Sequence, residues 1–326
     1  MRRSLGAAST FLILAMTILI SSCEIKTESN VVTGGGSVPY GKIGLNMFPR
    51  NRTAGTLAAQ MSDIRSIGVK YIRVNFWFDN HFMASAGAAA DFARLDEVVE
   101  AAKAAGLEIL GILGPAPTWL ANEPGWIKVY TADYVTPVVN RYKGYVRHWE
   151  VWNEPDESPM FDGTADSYFE LLKATSAVIR QADPGAKIVS AATVNIVSEG
   201  MAKLAWMERL VDLGLAQHAD ILNMHYYSDL DVELGVSAKA LADKARMPVW
   251  VTETGKIGQD LQMDYFSNNM PYIDRALNPE RIYWYCYVEH EAENTESHPA
   301  DTYGIVAIYN GQRIESPIYS LLKSHN

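Results

Sequence analysis

The sequence predicts an α/β protein, a single (β/α)8 barrel of the TIM-barrel architecture, and three observations support this prediction. From Lys42 onward, short β-rich runs alternate with segments whose apolar residues recur every three or four positions. Eight such units fit between Lys42 and Asn326, a length typical of a closed barrel. Gly68, Gly106 and Gly144 each stand where a predicted helix ends and the next strand begins. Strict alternation of this kind places parallel strands in one sheet with the helices outside.

The predicted elements follow one another without a visible repeat or second domain. The strands are Ile43–Asn46, Tyr71–Phe76, Glu108–Leu113, Val146–Trp152, Lys187–Ser190, Ile221–Met224, Val249–Thr252 and Arg281–Cys286. The clearest helices are Leu57–Ile67, Phe92–Ala104, Tyr134–Tyr142, Tyr168–Ile179, Met201–Leu213, Val236–Lys244 and Pro317–Lys323. An open doubly wound sheet is the competing architecture, but Gly44–Met47 is not the glycine-rich phosphate loop that typically follows its first strand.

The N-terminus precedes the predicted barrel and has the composition of an export signal. Arg2 and Arg3 are followed by an apolar run, Leu5–Ile20, which is short for a membrane-spanning helix. The run ends in Ile20-Ser21-Ser22-Cys23, which resembles the lipobox of bacterial lipoproteins. This resemblance implies cleavage before Cys23 and acylation of Cys23. The alternative is an ordinary secretory signal in which Cys23 is incidental.

Three segments are therefore expected. Residues 1–22 are predicted to be a lipoprotein signal peptide, residues 23–40 a polar, glycine-rich flexible tether, and residues 41–326 the barrel. We expect an exported protein that meets a bacterial membrane only through the lipid on Cys23, on the periplasmic or the cell-surface side. Glu24, rather than aspartate, resembles the pattern that permits export to an outer membrane.

Composition limits the partners and the means of stabilisation. The formal net charge of −10 is unfavourable for binding nucleic acid or anionic lipid. The sequence has 2 cysteines, Cys23 and Cys286, so no disulfide framework is expected in the exported protein. Apolar residues make up 48% of the chain, enough for one large hydrophobic core. We expect a monomer.

Two segments of the sequence deliver a glutamate to the end of a predicted strand. Glu154 follows Trp149–Asn153 and precedes Pro155, and Glu253 ends a β-rich run two positions before Gly255. In a barrel of this type the C-terminal strand ends converge on one face, where the active sites of such proteins lie. Two carboxylates on that face are what hydrolysis of a glycosidic bond requires, since one protonates the leaving oxygen and the other attacks or stabilises the sugar cation.

Other strand ends supply further polar and aromatic groups. Six of the eight predicted strands finish in charged, amide or aromatic side chains, which is more specific than any single motif. The side chains concerned are Arg73, Asn75, Trp77, Trp119, Trp152, Asn153, Glu154, His225, Tyr227, Glu253 and Trp284. Their convergence predicts an active site at the C-terminal face of the barrel.

These motifs resemble a known group of enzymes. Asn153-Glu154-Pro155 after the fourth strand, with Glu253 after the seventh, resembles clan A of the glycoside hydrolases, the 4/7 barrel superfamily. The block Trp149–Pro155 is similar to family 39, whereas Arg73 and the His-x-Tyr at the end of the sixth strand resemble the cellulase-like family 5. The resemblance covers nearly the whole mature chain and leaves both families open.

The resemblance implies a role for each residue that matches the motifs. Glu154 would be the general acid/base, and Glu253 the nucleophile that forms a glycosyl-enzyme intermediate. Arg73 and Tyr227 would keep Glu253 ionised and oriented. Asn153 would bind the 2-hydroxyl group of the sugar. Because Asn153 and Glu154 are consecutive, both can serve only if the strand end bends or bulges.

The remaining candidates surround this pair. His225 is expected near the same subsite, and Trp284 is expected to form a floor on which a sugar stacks. Trp77 and Trp119 either line further subsites or pack loops, and the sequence leaves this open. None of the histidines has metal-ligand spacing, so neither a metal nor a cofactor is expected.

The sequence thus predicts a retaining, endo-acting glycoside hydrolase that cleaves a β-linked polysaccharide or oligosaccharide. An exo-acting glycosidase or a transglycosylase with the same two glutamates is one alternative. A non-catalytic carbohydrate-binding lipoprotein is another, although both glutamates and their supporting residues are present. A structural envelope lipoprotein would leave the converging carboxylates and aromatic residues without a purpose.

Overall fold

A ring of parallel strands forms the wall of the barrel in the computed structural model, which describes residues 36–121, 123–157, 161, 163–197, 201–229, 232–289 and 296–326. The predicted signal peptide, Cys23 and most of the predicted tether lie outside the described residues. The barrel strands are β1 (Ile43–Met47), β2 (Tyr71–Phe76), β3 (Glu108–Leu113), β4 (His148–Val151), β5 (Lys187–Val189), β6 (Leu222–His225), β7 (Val249–Thr254) and β8 (Arg281–Trp284).

The order of the strands closes the sheet on itself. Neighbouring strands are β5-β4-β3-β2-β1-β8-β7-β6, and every pair in this sheet is parallel. A parallel bridge between Val189 in β5 and Ile221, just before β6, joins the two ends. The predicted (β/α)8 barrel is confirmed, and the doubly wound alternative is excluded because its sheet would remain open.

Helices cover the outside of the ring. They are α1 (Ala54–Ser66), α2 (Ala93–Ala105), α3 (Trp126–Val129), α4 (Thr136–Tyr142), α5 (Ala165–Ala182), α6 (Ala202–Leu213), α7 (Val232–Ala245), α8 (Gln259–Leu277) and α9 (Pro317–Ser324). A π-helical segment, Tyr130–Val135, joins α3 to α4. Helix α2 ends at Gly106, whose φ of 68° is the left-handed conformation that glycine adopts without strain. No helix among the described residues has both the length and the hydropathy that crossing a bilayer requires.

Most predicted bounds agree with the structure within two or three residues, and the exceptions are informative. Strand β4 stops at Val151 instead of Trp152, while β7 continues to Thr254. The longest described helix, α8, was not among the predicted helices; it contains Pro271 and is rich in amide side chains. An antiparallel hairpin after β8, formed by β9 (Val306–Tyr309) and β10 (Gln312–Glu315), was also missed.

One carboxylate ties this hairpin to the barrel. Asp63 in α1 accepts hydrogen bonds of 2.7 Å from the hydroxyl groups of Tyr287 and Tyr319 and from Nη2 of Arg313. Burial alone would raise the pKa of Asp63, but these three donors outweigh it and lower the pKa. Asp63 therefore stays ionised and holds the C-terminal segment against α1.

The barrel interior has two layers of different chemistry. The lower layer is a buried cluster of Leu110, Val189, Ile221, Trp250 and Tyr283. The upper layer, towards the C-terminal ends, is polar and buried, and it contains Asn46, Arg73, Glu150, Asn223 and His225. The apolar layer seals the bottom of the barrel, and the polar layer supports the face on which the strands end.

Candidate active site

The backbone bends just after β4, and this bend allows Asn153 and Glu154 to face the same site. Trp152 has a φ of 69° and Glu154 a φ of 47°, both in the left-handed region that is costly for residues other than glycine. Such a conformation costs about 1–3 kcal/mol and persists where the surroundings hold it. Trp152 is fully buried, with its ring 5.9 Å from Trp126 and 5.5 Å from Phe161. The predicted bend therefore exists, and packing of Trp152 stabilises it.

Glu253 is directed into the site by an irregularity in β7. In the pairing with β6, Met224 lies opposite Val251 and His225 lies opposite Glu253, so Thr252 is the extra residue. A bulge of this kind redirects the side chain that follows it. The Glu253 carboxylate accepts hydrogen bonds from Nη1 of Arg73 at 2.6 Å and from the hydroxyl of Tyr227 at 2.9 Å.

The site brings together four of the residues that the sequence placed around the acid and the nucleophile. Nδ1 of His225 lies 2.9 Å from Oε1 of Glu154 and 3.7 Å from Oε2 of Glu253. Nη2 of Arg73 donates to Oδ1 of Asn153 at 2.6 Å. With the bond from Tyr227 to Glu253, these contacts join Arg73, Asn153, Glu154, His225, Tyr227 and Glu253 into one network.

The main partner of Arg73 is Glu150, which was not among the predicted site residues. Nε and Nη2 of Arg73 donate to the two carboxylate oxygens of Glu150 at 2.7 and 2.8 Å. Asn223 donates to the same carboxylate at 3.0 Å, and Oδ1 of Asn46 accepts from Nη1 of Arg73 at 2.8 Å. Glu150 lies in the middle of a buried strand, where a charged residue requires a partner. That signal was available in the sequence.

Burial and neighbouring charges shift the pKa values of Glu253, His225 and Tyr227. Burial alone would raise the pKa of Glu253, but His225, Arg73 and the hydrogen bond from Tyr227 lower it. Burial alone would lower the pKa of His225, but the negative charge of Glu253 and the hydrogen bond to Glu154 raise it. Burial and the adjacent Glu253 raise the pKa of Tyr227 well above its ordinary value, so the phenol stays protonated and donates a hydrogen bond to Glu253.

Among the described residues, one group has the donor atoms that could hold a metal ion. It consists of Glu154, His225 and Glu253, whose donor atoms lie within 4.8 Å of one another. The cationic guanidinium of Arg73 is only 2.6 Å from Glu253, and Tyr227 already donates to the other oxygen of this carboxylate. The set is therefore better suited to exchanging protons with a substrate than to holding a second cation.

Aromatic residues line the catalytic cavity, which has a volume of about 430 Å³ and contains both glutamates. Phe48, Tyr227, Tyr285 and Tyr303 contribute to its wall. The rings of Phe48 and Tyr303 meet Tyr285 edge-on at 5.4 and 5.5 Å. Tyr285 and Tyr303 were not among the predicted site residues.

The prediction that Trp284 forms the sugar-stacking floor is wrong. Trp284 is fully buried, its ring packs against Phe266 in α8, and its indole N–H donates to the carbonyl of Tyr303 at 3.2 Å. Side chains alternate between the two faces of a strand, and Trp284 points outward towards the helices. The next residue, Tyr285, lines the cavity in its place.

Trp77 and Trp119 do not line the catalytic cavity either. Trp77 is 9% exposed and borders a separate cavity of about 370 Å³ between the loops that follow β1 and β2. Trp119 packs edge-on against Phe78, with ring centroids 5.9 Å apart. Of the two open alternatives, loop packing is the one that this contact favours for Trp119.

The fold and the carboxylates at the ends of β4 and β7 together define a glycoside hydrolase with a (β/α)8 barrel. The family model described as cellulase (glycosyl hydrolase family 5) matches residues 36–288. The chain therefore belongs to glycosyl hydrolase family 5, which lies within the predicted clan. Comparison with curated protein sequences gives no match.

Solved structures share the fold at low sequence identity. A family 39 glycoside hydrolase from the gut symbiont Bacteroides cellulosilyticus WH2 is 16% identical, with a TM-score of 0.66 over 87% of this chain and 62% of that one. A family 39 β-xylosidase from Caulobacter crescentus is 18% identical, with a TM-score of 0.67 over 89% of this chain and 72% of that one. An exo-β-1,4-mannosidase from Opitutaceae bacterium strain TAV5 is 18% identical, with a TM-score of 0.64 over 86% of this chain and 58% of that one. This chain thus spans about three fifths of the first of these proteins.

Proposed function

We propose that this protein hydrolyses a β-linked polysaccharide with retention of configuration and cuts within the chain. The observation that carries the proposal is the closeness of the two carboxylates, since donor oxygens of Glu154 and Glu253 lie within 4.8 Å of each other. Retaining enzymes have carboxyl groups about 5–5.5 Å apart, whereas inverting enzymes need about 6.5–9.5 Å to admit a water. The spacing supports direct attack on the sugar.

Glu253 is the nucleophile in this mechanism. Arg73 and Tyr227 hydrogen bond to its two oxygens and lower its pKa, so it is ionised and oriented before the substrate arrives. Its attack on the anomeric carbon forms a covalent glycosyl-enzyme intermediate. The second bond from Arg73, to Glu150, fixes the guanidinium in place and keeps it from following the carboxylate as the negative charge is lost.

Glu154 is the general acid/base. Its side chain is 27% exposed, compared with 9% for Glu253, so it can exchange protons with solvent between the two steps. It protonates the leaving oxygen in the first step and removes a proton from water in the second. His225 contacts Glu154 and orients its carboxyl group, and Asn153, held by Arg73, is placed to bind the 2-hydroxyl group.

Endo action is the finer part of the proposal, and the arrangement of cavities supports it. The catalytic cavity of about 430 Å³ shares the catalytic face with a cavity of about 370 Å³ near β1 and β2 and one of about 210 Å³ near β6 and β7. Several cavities on one face suit a polymer better than a single terminal sugar. Glucan, mannan and xylan are the polymers to test first.

A polysaccharide screen tests the proposal. Residues 41–326 and their Glu253→Gln variant are incubated with each polymer, and the products are sized by mass spectrometry. Oligosaccharides of several lengths from one polymer, formed by the wild type and not by the variant, are expected. Single sugars as the sole product would replace endo with exo action. Binding without cleavage by both proteins would contradict hydrolysis and favour the carbohydrate-binding alternative.

We propose further that Cys23 carries a lipid anchor. The support is the sequence pattern Ile20-Ser21-Ser22-Cys23 at the end of the apolar run. Full-length protein expressed in a bacterium fed with labelled palmitate should become labelled and sediment with membranes. The Cys23→Ala variant should lose the label, and a variant that keeps it would contradict the assignment.

A further inference from the structure

The chain enters the barrel on the face where the strands begin, which we call the lower face. Gly36, the first described residue, lies against the side chain of Arg275 in the last turn of α8. Nζ of Lys42, the residue before β1, lies 2.6 Å from Oδ1 of Asp274. Both contacts are on the lower face, because α8 returns the chain to the start of β8.

The proposed lipid attachment site lies a short way upstream of this contact. Cys23 precedes Gly36 by 13 residues in the sequence. A chain of that length spans at most about 45 Å even when fully extended. An anchored barrel therefore stays close to the bilayer, and its connection to the anchor leaves from the lower face. At the high local concentration that such a connection produces, a weak attraction is enough to orient the barrel.

Basic side chains surround the starts of the strands. Six of the eight barrel strands have a lysine or an arginine at their first residue or within three residues before it. These cations are Lys42, Lys70, Arg147, Lys187, Arg246 and Arg281. The acids at the same positions are Glu108, Asp220 and Glu280. Cations are therefore in excess around the lower face.

Four cations of the lower face have no acidic partner of their own. They are Lys70, Arg147, Arg246 and Arg275, and all four are exposed. Across the described part of the chain, none of these side chains has a carboxylate oxygen within 4.0 Å. Arg246 and Arg275 border a cavity of about 540 Å³, and Arg147 borders one of about 310 Å³. These charges remain available to anions outside the protein.

The catalytic face has the opposite balance. The three connections that follow β2, β3 and β4 contain no lysine or arginine. Their acids include Asp91 and Glu123, which are exposed and have no cationic partner within 4.0 Å among the described residues. The formal net charge of −10, which is unfavourable for binding anionic lipid, is thus unevenly distributed. A negatively charged surface attracts the lower face and repels the catalytic face.

We propose that the lower face lies on the anionic phospholipid bilayer to which the chain is anchored, with the four unpartnered cations against the phosphate groups. Each cation held near such a surface adds to the attraction, which reaches about 8 Å at physiological salt. The catalytic cavity then opens away from the bilayer, towards polymers in the surrounding medium. The proposal rests on the proposed lipid on Cys23 and adds a second contact with the membrane. It does not depend on the proposed hydrolysis.

Lysine acetylation on vesicles tests the proposal. The predicted mature chain, residues 23–326, is coupled through the thiol of Cys23 to a maleimide lipid. The vesicles contain either phosphatidylcholine alone or phosphatidylcholine with phosphatidylglycerol. Cys286 is buried, so coupling should occur at Cys23. A water-soluble acetylating reagent is then added, and mass spectrometry gives the rate of acetylation of each lysine.

The lysines themselves provide the comparison between faces. Lys70, Lys143 and Lys187, which are exposed on the lower face, should react about fivefold more slowly on the anionic vesicles than on the neutral ones. Lys128 in α3 and Lys173 in α5 are also exposed and should react equally on both. The protection should disappear in about 1 M salt, which screens the attraction beyond about 3 Å.

A triple variant removes the proposed contacts with lipid. Arg147→Gln/Arg246→Gln/Arg275→Gln should restore the acetylation rates of the lower-face lysines on anionic vesicles to those on neutral vesicles. All three side chains are exposed, so the fold should be retained, and a circular dichroism spectrum checks this.

The matched control is Lys128→Gln/Lys173→Gln/Arg209→Gln, which lowers the net charge by the same amount at exposed positions away from the lower face. It should leave the protection in place. Equal loss of protection in the two triple variants would show that only total charge matters, and equal slowing of Lys128, Lys173 and the lower-face lysines would show no preferred face; either result overturns the proposal. The palmitate experiment tests the anchor separately, so failure of the anchor and failure of the lower-face contact are distinguished.

Discussion

A half-buried histidine beside the lower layer and a buried histidine in the upper layer have their pKa values shifted in opposite directions. Beside the lower layer, burial and the nearby Arg281 lower the pKa of His148 to about 4, so the ring is neutral and packs 4.8 Å from Trp250. In the upper layer, burial acts on His225 in the same direction, but Glu253 and Glu154 outweigh it and raise the pKa. The difference shows that burial lowers the pKa of a histidine unless neighbouring negative charges outweigh it.

The two layers also differ in the arginine that each contacts, since Arg281 beside the lower layer is half-buried and Arg73 in the upper layer is buried. Arg281 lies 3.8 Å above the ring of Tyr71, and an aromatic face offsets part of its charge. Arg73 of the upper layer is bonded to two carboxylates, Glu150 and Glu253. The arginine beside the lower layer thus packs on an aromatic ring, whereas the arginine of the upper layer is paired with two carboxylates, one of which is the proposed nucleophile.

The largest expected effect is a loss of activity on replacing Glu154, whose carboxyl group contacts His225 of the upper layer. Glu154→Ala should lower the hydrolysis of substrates with poor leaving groups by about 100- to 10,000-fold, because proton donation to the leaving oxygen is lost. Aryl glycosides with activated leaving groups should lose far less. Steady-state kinetics on both substrate types check this. Equal losses on the two would count against the acid role of Glu154.

The next largest effect is on stability, and it compares the buried ion pair of Arg73 and Glu150 with an exposed ion pair. Glu150→Ala leaves Arg73 without its bidentate partner in a buried site, and the free energy of unfolding should fall by about 3–5 kcal/mol. Urea denaturation measures this. The control Glu97→Ala removes an exposed partner of Arg94 and should cost about 1 kcal/mol or less. Similar losses in the two variants would mean that the network contributes no special stability.

The histidine comparison gives a prediction about pH. The pKa of His148 is about 4 when folded and about 6.5 when unfolded, so the unfolded state binds more protons as the pH falls between these values. His148 therefore contributes stability that is complete above about pH 6.5 and is lost towards pH 4, on the order of 3 kcal/mol. Unfolding free energies of His148→Gln should show a flatter profile over this window.

His225 should show the opposite sign. Its folded pKa is raised, so its contribution is complete below the unfolded value and is lost as the pH rises through the folded pKa. His225→Gln should therefore flatten the stability profile on the alkaline side. Profiles of the two variants that change in the same direction would contradict the contrast between the layers.

The smallest effect concerns the cation beside the lower layer. Arg281→Lys exchanges the planar guanidinium over Tyr71 for an ammonium group, and stability should fall by about 0.5–2 kcal/mol. Because Arg281 is remote from the two glutamates, kcat/KM should stay at the wild-type value. A thermal melt and an activity assay on the same sample check both expectations. A loss of activity without a loss of stability would show that the layers are coupled.

Local patterns in the sequence were sufficient to predict the barrel architecture. Strict alternation of apolar runs and amphipathic segments predicted all eight barrel strands, and the bounds of β2 and β3 agree with the structure. Elements without such a pattern were missed. Helix α8 buries amides such as Gln262 and Asn269, so its buried face is not purely apolar. The hairpin strands β9 and β10 have four residues each, and β10 is mostly exposed, so they show no long apolar pattern.

The candidate site was predictable in part. Glu154 follows the end of β4 and Glu253 lies next to the last residue of β7, each close to a proline or a glycine. The C-terminal ends of all the barrel strands lie on the same face. The aromatic positions were not predictable in the same way. Trp284 and Tyr285 are adjacent, and adjacent side chains of a strand point to opposite faces. An error of one residue in the predicted strand therefore assigns the cavity to Trp284, which faces the helices, instead of to Tyr285.

The sequence by itself determined the order of the elements, the family motifs and the strand ends that carry the two glutamates, because these depend on local periodicity and on a shared barrel face. Only the tertiary structure decided that Glu150 shares Arg73 with Glu253 and that Tyr285 rather than Trp284 lines the cavity. These features join residues far apart in the chain, at distances of a few ångströms. Hydrogen bonds and ion pairs depend on such distances, and these distances cannot be read from a local sequence pattern.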